Sequence, residues 1–259
     1  MILFFADVDQ SLLLENEYKK LPKLNRLISY LSIKNKKKEK ILEFFNNSKR
    51  VFVDSGGFSV RVRGVKIDVE EYGRFLKEYE KYIFAYANLD EKETEKTLYN
   101  FRILREKFGL KPIPVFHRDE YESNKYYLLK EYAEKYNYIA LGGVAGTHVS
   151  KSYVIRYLDY CFSILKDYIL NKNLKVHGFG MTASYILRRY PFYSIDSTSW
   201  LSKYGNTVNC NGLEIKNHCL NQFYKKFHYK YRNTINLKSF LRLEREITKL
   251  WELRGIKWD

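Results

Sequence analysis

Arg50-Val51-Phe52-Val53-Asp54-Ser55-Gly56-Gly57-Phe58 is a short apolar run that ends on a carboxylate and then on two glycines. That shape suits a strand buried on both faces, which takes polar residues only where it ends. Residues 2–8, 82–89, 112–116, 138–141, 174–178 and 193–195 form further runs rich in Val, Ile, Tyr or Phe, and a weaker eighth falls at 207–213. Helical patterns separate them. Asp68 caps a stretch reaching Tyr82, 91–108 stops before Gly109, and Ser150 opens a long helix reaching Leu170. From Asn236 onward Leu237, Phe240, Leu241, Ile247, Leu250 and Trp251 share one side, and Gly255 closes the segment.

Strands alternating with helices call for a parallel sheet with crossover helices. The choice lies between a doubly wound sheet and a TIM (β/α)8 barrel. Asp54, Asp90, His117, Gly142, His177 and Asp196 each stand at the end of a different run. A barrel brings all such ends to one face, whereas an open sheet concentrates function at one switch point. The expectation is therefore an α/β chain forming one TIM barrel over residues 1–259, with 207–259 as a basic, helical C-terminal part.

Hydrophobic residues make up 45% of the 259, enough for a full core, and 24 Tyr and 17 Phe make that core and its rim aromatic. Lys and Arg number 46 against 30 Asp and Glu, a formal charge of +16. A field of that sign gathers polyanions, nucleic acid first and an anionic membrane surface second; the plain alternative is a Lys-rich soluble protein. Lys34-Asn35-Lys36-Lys37-Lys38-Glu39-Lys40 reads as a solvated helix face. Tyr224-Lys225-Lys226-Phe227-His228-Tyr229-Lys230-Tyr231-Arg232 interleaves rings with cations, which suits tracking of a phosphate backbone with stacking on bases. Lys225, Lys226, Lys230 and Arg232 are the expected backbone contacts. Cys161, Cys210 and Cys219 are too few for a disulfide framework in a chain this long. The apolar start, Met1-Ile2-Leu3-Phe4-Phe5-Ala6, lacks a basic leader, and no stretch reaches transmembrane length. A cytoplasmic protein without a membrane partner is expected.

Three motifs carry chemistry. In Asp54-Ser55-Gly56-Gly57-Phe58 the glycines let a backbone approach a ligand closely, although an Asp-capped turn reads equally well. In Ile195-Asp196-Ser197-Thr198-Ser199-Trp200 the aspartate again ends a run, and an N-cap is the plain reading. Carboxylates from two strand ends of one barrel can work as an acid/base or nucleophile/acid pair. Ala140-Leu141-Gly142-Gly143-Val144-Ala145-Gly146 offers main-chain groups to a planar ligand edge, and fits neither the Walker A nor the GxGxxG pattern.

Taken together these residues resemble the tRNA-guanine transglycosylase superfamily over about residues 51–200. Asp54–Phe58 is similar to its DSGGF signature, Gly142-Gly143-Val144-Ala145-Gly146 to its GGLAVG loop, and Leu89-Asp90 to its base-binding FDE segment. His177-Gly178-Phe179-Gly180 followed by Ile195-Asp196-Ser197 is similar to its late GVG and FDS strands. The resemblance implies Asp196 as nucleophile on C1′ of the target nucleoside and Asp54 as the proton carrier. It implies base-binding roles for Ser55, Gly56, Phe58, Asp90 and His117, and for Gly142, Gly143, Val144, His177 and Gly178. Guanine would leave and a 7-deazaguanine base would enter, with the target base flipped out or presented unpaired.

The chain also departs from the tRNA enzymes. Their C-x-C-x-x-C…His zinc spacing is missing. Cys210, His218, Cys219 and His228 could form a Cys2His2 site, but buried thiols and surface histidines are the preferred reading, so no cofactor is expected to be required. Ser59 stands where the family usually has Gln, and Pro114-Val115-Phe116-His117-Arg118 replaces a Gln-Gly-Gly strand. These departures resemble the family's DNA-modifying branch, found in some phages and bacterial gene clusters. DNA is accordingly ranked above tRNA as the partner, and a homodimer is compatible with the sequence. The competing readings are a glycoside hydrolase, which would not call for the +16 charge, and a non-catalytic nucleic-acid-binding family member, which would be free to lose one of the aspartates.

Overall fold

Parallel strands alternate with helices throughout the computed structural model, which describes residues 1–6, 8, 11, 13, 15–57, 59–60, 64–144, 149–201 and 228–258. Among them the strands are β1 Ile2–Ala6, β2 Asn25–Ser29, β3 Arg50–Asp54, β4 Ala85–Tyr86, β5 Val115–His117, β6 Tyr138–Gly142, β7 Lys175–Gly178 and β8 Ser194–Ser197. The helices that matter to the site are α1 Lys38–Asn46, α2 Val69–Tyr79, α3 Thr94–Glu106, α4 Tyr126–Lys135, α5 Lys151–Lys172, α6 Ser184–Arg189 and α7 His228–Leu253. The strands form one sheet in the order β4-β3-β2-β1-β8-β7-β6-β5, and every ladder is parallel.

The sheet is curled. Phe52 on β3 and His177 on β7 lie four places apart in the strand order, which in a flat sheet means roughly 19 Å at about 4.8 Å per strand. Their ring centroids are 4.6 Å apart. Curling puts the inward residues of opposite strands in contact, and one buried apolar cluster draws on Phe4, Leu27, Phe52, Ala85, Val115 and Ala140. The edge strands β4 and β5 share no ladder. They touch through a single bridge, Ala87 to Ile113, with Ile113 N–H donating to Tyr86 O at 2.9 Å and Asn88 N–H donating to Ile113 O at 2.9 Å. The architecture is TIM-like, with the barrel left open along this seam.

Each of the seven expected runs overlaps a strand: β1, β4 and β7 are shorter than expected, β3 and β6 run one residue further, and β5 and β8 are shifted toward the C-terminus. The remaining strand differs from expectation: β2 occupies Asn25–Ser29, and the expected run at 207–213 lies outside the described residues. Asn25-Arg26-Leu27-Ile28-Ser29 has too few apolar residues to stand out. Arg26 is nevertheless buried, its guanidinium 5.3 Å from the Phe44 ring, so a cation–π contact and helix packing let a charged residue sit in a covered strand.

Helix ends follow local chemistry. The Asp68 carboxylate accepts from Glu70 N and Glu71 N at the start of α2, and Ser150 Oγ accepts from Tyr153 N at 3.3 Å at the start of α5. Gly109 takes φ +64° just past α3, where a side chain would be strained. Helix α7 begins earlier than the expected Asn236 and buries Leu237, Phe240, Ile247 and Trp251 against the outside of the sheet. Asn236 is itself fully buried, and its amide donates to Trp200 O at 3.1 Å. The Trp200 indole donates to Ala6 O at 2.9 Å. Trp200 thus ties the end of β1, through its indole, to α7, through its backbone carbonyl.

Trp200 has no exposed surface. Trp200→Ala should cost about 3–5 kcal/mol of stability, the range for deleting a buried aromatic side chain. Tyr127→Ala, at an exposed position, should stay within about 0.5 kcal/mol. Chemical denaturation of the two variants beside the wild type measures both.

Candidate active site

Parallel pairing aligns the C-terminal ends of all strands along one edge, and the chemistry-bearing side chains collect there. Asp54 is the last residue of β3. Its Oδ2 accepts from Gly56 N at 3.1 Å, so the capped-turn reading of this motif is realised, yet the carboxyl also faces other acids. Burial pushes Asp54 up to about 7. The Gly56 hydrogen bond opposes this, the charges of Asp196 and then Asp90 add to it, and His117 works against it. Asp54 therefore shares one electrostatic site with groups on β8, in the segment after β4, and on β5.

The glycines make this convergence feasible. Gly56 has φ +89°, and a Cβ on Gly57 would stand 3.5 Å from the Asp90 side chain, so the turn after β3 lies against the segment after β4. Asp90 is buried and engaged on both oxygens: Asn88 Nδ2 donates to Oδ1 at 3.2 Å, and His117 Nε2 donates to Oδ2 at 3.0 Å. Each carboxylate oxygen keeps room for a second donor. Gly142 faces the His117 ring so closely that a Cβ would come 2.9 Å from Nδ1, and Gly143, at φ +84°, packs on Arg118 so closely that a Cβ would clash at 2.8 Å from its backbone N. His117 N–H is held by Glu120 Oε2 at 2.7 Å. The pair His117–Asp90 is thus fixed from three directions.

Asp196 is on β8, next to Phe4 of β1 in the ladder. Its Oδ1 accepts from Gly180 N at 2.8 Å and lies 3.4 Å from His177 Nε2. His177 has no exposed surface; it is packed between Phe52 and Phe179, beneath the carboxylates. Gly178 backs onto Phe192, where a Cβ would come within 2.8 Å. Ser55 is buried beside Asp54, and Val144 is partly buried beyond Gly143. Asp54, Asp90, His117, Gly142 and Asp196 are therefore brought to one edge. His177 and Gly178 lie below it, and Phe58 is outside the described residues.

Of the basic segment, Lys225 and Lys226 lie outside the described residues, as do Cys210, His218 and Cys219. Lys230 and Arg232 fall in the first turns of α7, and Lys230 borders a cleft of about 520 Å³ with Glu15, Lys19 and Lys23. Lys38 is paired with Glu78 at 2.9 Å on an exposed surface. Among the described residues no cluster of His, Cys, Asp or Glu is arranged to hold a metal, and no helix is long and apolar enough to cross a membrane.

Four polar residues at the site escaped the sequence reading: Asn88, Glu120, Ser194 and Tyr138. Two of them were legible. Asn88 precedes Asp90 by two residues and Ser194 precedes Asp196 by two, and period-2 alternation puts each on its partner's side of the chain. No protein-family model matches this chain, and no curated protein is similar to it.

The raised Asp54 carboxyl has a stability consequence. A folded-state pKa above the unfolded value of about 3.9 means the native state holds an extra proton between the two. The associated stability is complete below about pH 4 and is lost as pH rises through about 7. Asp54→Asn should therefore raise the melting temperature relative to wild type at pH 8, and the gain should shrink toward zero at pH 4. Thermal unfolding of both proteins across this interval is the check, and a pH-independent difference contradicts the assignment.

Proposed function

We propose that this chain is a base-exchange transglycosylase, built as a (β/α)8 barrel, that replaces guanine in nucleic acid with a 7-deazaguanine base. The observation that carries the reading is the pair of acids on separate strand ends: Asp54, whose carboxyl sits near neutral pH, and Asp196, whose charge acts on it. A nucleophile and a proton carrier with different environments are what a double displacement at an anomeric carbon needs.

Asp196 attacks C1′ of the target nucleotide. The C1′–N9 bond breaks, and guanine departs with the electron pair and the proton of Asp54. The incoming base then gives its ring N–H proton to the Asp54 carboxylate as its nitrogen attacks C1′. The ester bond to Asp196 breaks and both acids return to their starting states, with retention at C1′. A carboxyl near pH 7 serves both directions of proton transfer. The spare acceptor capacity of Asp90 suits the N1–H and exocyclic amine of guanine, while His117 holds that carboxylate in place. Main-chain groups at Gly143 and Val144 would meet the opposite edge of the base. The formal charge of +16 supports a polyanionic substrate, and DNA is favoured over tRNA.

With the incoming base withheld, the wild type should accumulate a covalent adduct with nucleic acid, and Asp196→Asn should form none while still binding. Asp54→Asn should slow adduct formation by about 10²–10⁴-fold, the usual size of a proton-transfer contribution. Denaturing gels score the adduct. Uptake of labelled guanine into DNA or tRNA identifies the polymer; exclusive uptake into tRNA removes the DNA preference, and an adduct with Asp196→Asn removes the nucleophile.

A further inference from the structure

The proposed reaction leaves unused a histidine that lies directly beneath the nucleophile. His177 is fully buried, stacked on Phe52 at 4.6 Å and met edge-on by Phe179 at 4.4 Å. A layer of phenylalanines would accept a leucine or methionine at this position. The imidazole instead has a polar group on each side. Its Nδ1 is 2.7 Å from Ser194 Oγ, and its Nε2 is 3.4 Å from Asp196 Oδ1. Ser194 Oγ in turn meets the hydroxyl of Tyr138.

The polarity of this chain follows from counting protons. Ser194 has one, so it donates either to His177 or to Tyr138. Suppose it donates to Tyr138. His177 must then donate from Nδ1, which leaves the bare Nε2 facing a carboxylate oxygen, and the partly buried Tyr138 hydroxyl loses Ser194 as its acceptor. The first is costly because His177 is fully buried. In the other direction Tyr138 donates to Ser194, Ser194 donates to Nδ1, and the imidazole proton sits on Nε2 facing Asp196. Burial raises the phenol of Tyr138 far above its ordinary range and lowers His177, so both groups remain neutral.

We propose that His177 is a positioning residue for Asp196: the Tyr138–Ser194 chain fixes its proton on Nε2 and aims it at Oδ1, leaving Oδ2 as the attacking oxygen. Gly180 N–H, also on Oδ1, points the same way. The 3.4 Å separation is longer than a formed hydrogen bond. Contacts of this kind commonly shorten when substrate is bound. The role assigned to Oδ2 rests on the transglycosylase reading, whereas the proton on Nε2 does not.

The test has a spectroscopic arm and a kinetic arm. In protein labelled with 15N-histidine, His177 should be a neutral imidazole protonated at Nε2 at pH 7, with its Nε2 signal shifted by Asp196→Asn. A proton on Nδ1, or on both nitrogens, overturns the proposal. In the kinetic arm, His177→Leu should bind nucleic acid as the wild type does but form the covalent adduct about 10–100-fold more slowly, the usual range for a partner that orients a reacting group. His177→Gln, which restores an N–H donor, should recover part of that loss. Wild-type adduct formation by a folded His177→Leu protein overturns the proposal. Should the leucine protein not fold, Ser194→Ala decides: with the hydroxyl on Nδ1 gone the ring loses its anchor, so the adduct should form more slowly, and a wild-type rate overturns the idea. If the wild type forms no adduct with any nucleic acid, the transglycosylase reading fails, and the nitrogen spectrum still decides whether His177 donates to Asp196.

Discussion

Rings filling the inside of the curled sheet are the constraint on which the rest of the molecule depends. Phe4, Phe52 and His177 meet across the interior at centroid separations of 4.6 to 6.3 Å, and Phe179 caps them. Such a layer leaves no water and few hydrogen-bond partners, so inward polar groups are tolerated where the strands end or where they pair with one another. Asp54, Asp90 and Asp196 occupy the first kind of place, and Ser194 with His177 the second. The same dryness raises the Asp54 carboxyl. Packing and site chemistry are therefore one arrangement, in which the rings exclude water from below and the glycine turns bring the acids together from above.

The elements that were legible in the sequence are those whose local and tertiary demands agree. Residues 50–54 read as a strand ending in a carboxylate because both faces of that strand are covered and its end is not. Asp68, Ser150 and Gly109 read as helix boundaries because capping is a local interaction. Strand β2 was hidden because its burial depends on a distant ring: Arg26 is covered only once Phe44 on α1 is in place. Within the site, the acids and the Gly142-Gly143 pair could be picked out by type and position. The reason for Gly142 could not, since it lies in the His117 ring that packs against it from the neighbouring strand. Nor could the depth of His177, which depends on how far the sheet curls.

The electrostatic character of the surface works on a different length scale from the site. Exposed ion pairs such as Lys38–Glu78, Lys40–Glu43 and Lys135–Glu131 fix a few side chains and contribute little to stability. They also leave the net charge untouched, because each pair cancels only itself. The surplus of cations acts as a field that falls off over about 8 Å at physiological ionic strength. It can bring a polyanion to the surface quickly without choosing where it docks. At the strand-end site, where Asp90 and His177 are buried, charges are screened far less.

The bond between the Trp200 indole and Ala6 spans 194 residues of chain, and the strand bearing Asp196 pairs with β1 along four residues. A nascent chain leaving the ribosome exposes β1 long before its neighbour β8 exists. Until then one edge of β1 is unsatisfied and open to pairing with another strand, the usual origin of aggregation in slowly assembled parallel sheets. The acid site appears at the last step, when β8 slots between β1 and β7 and α7 closes behind it. Partly made chains of this protein would carry Asp54, Asp90 and His117 without Asp196, so the four groups come together only once the sheet is assembled.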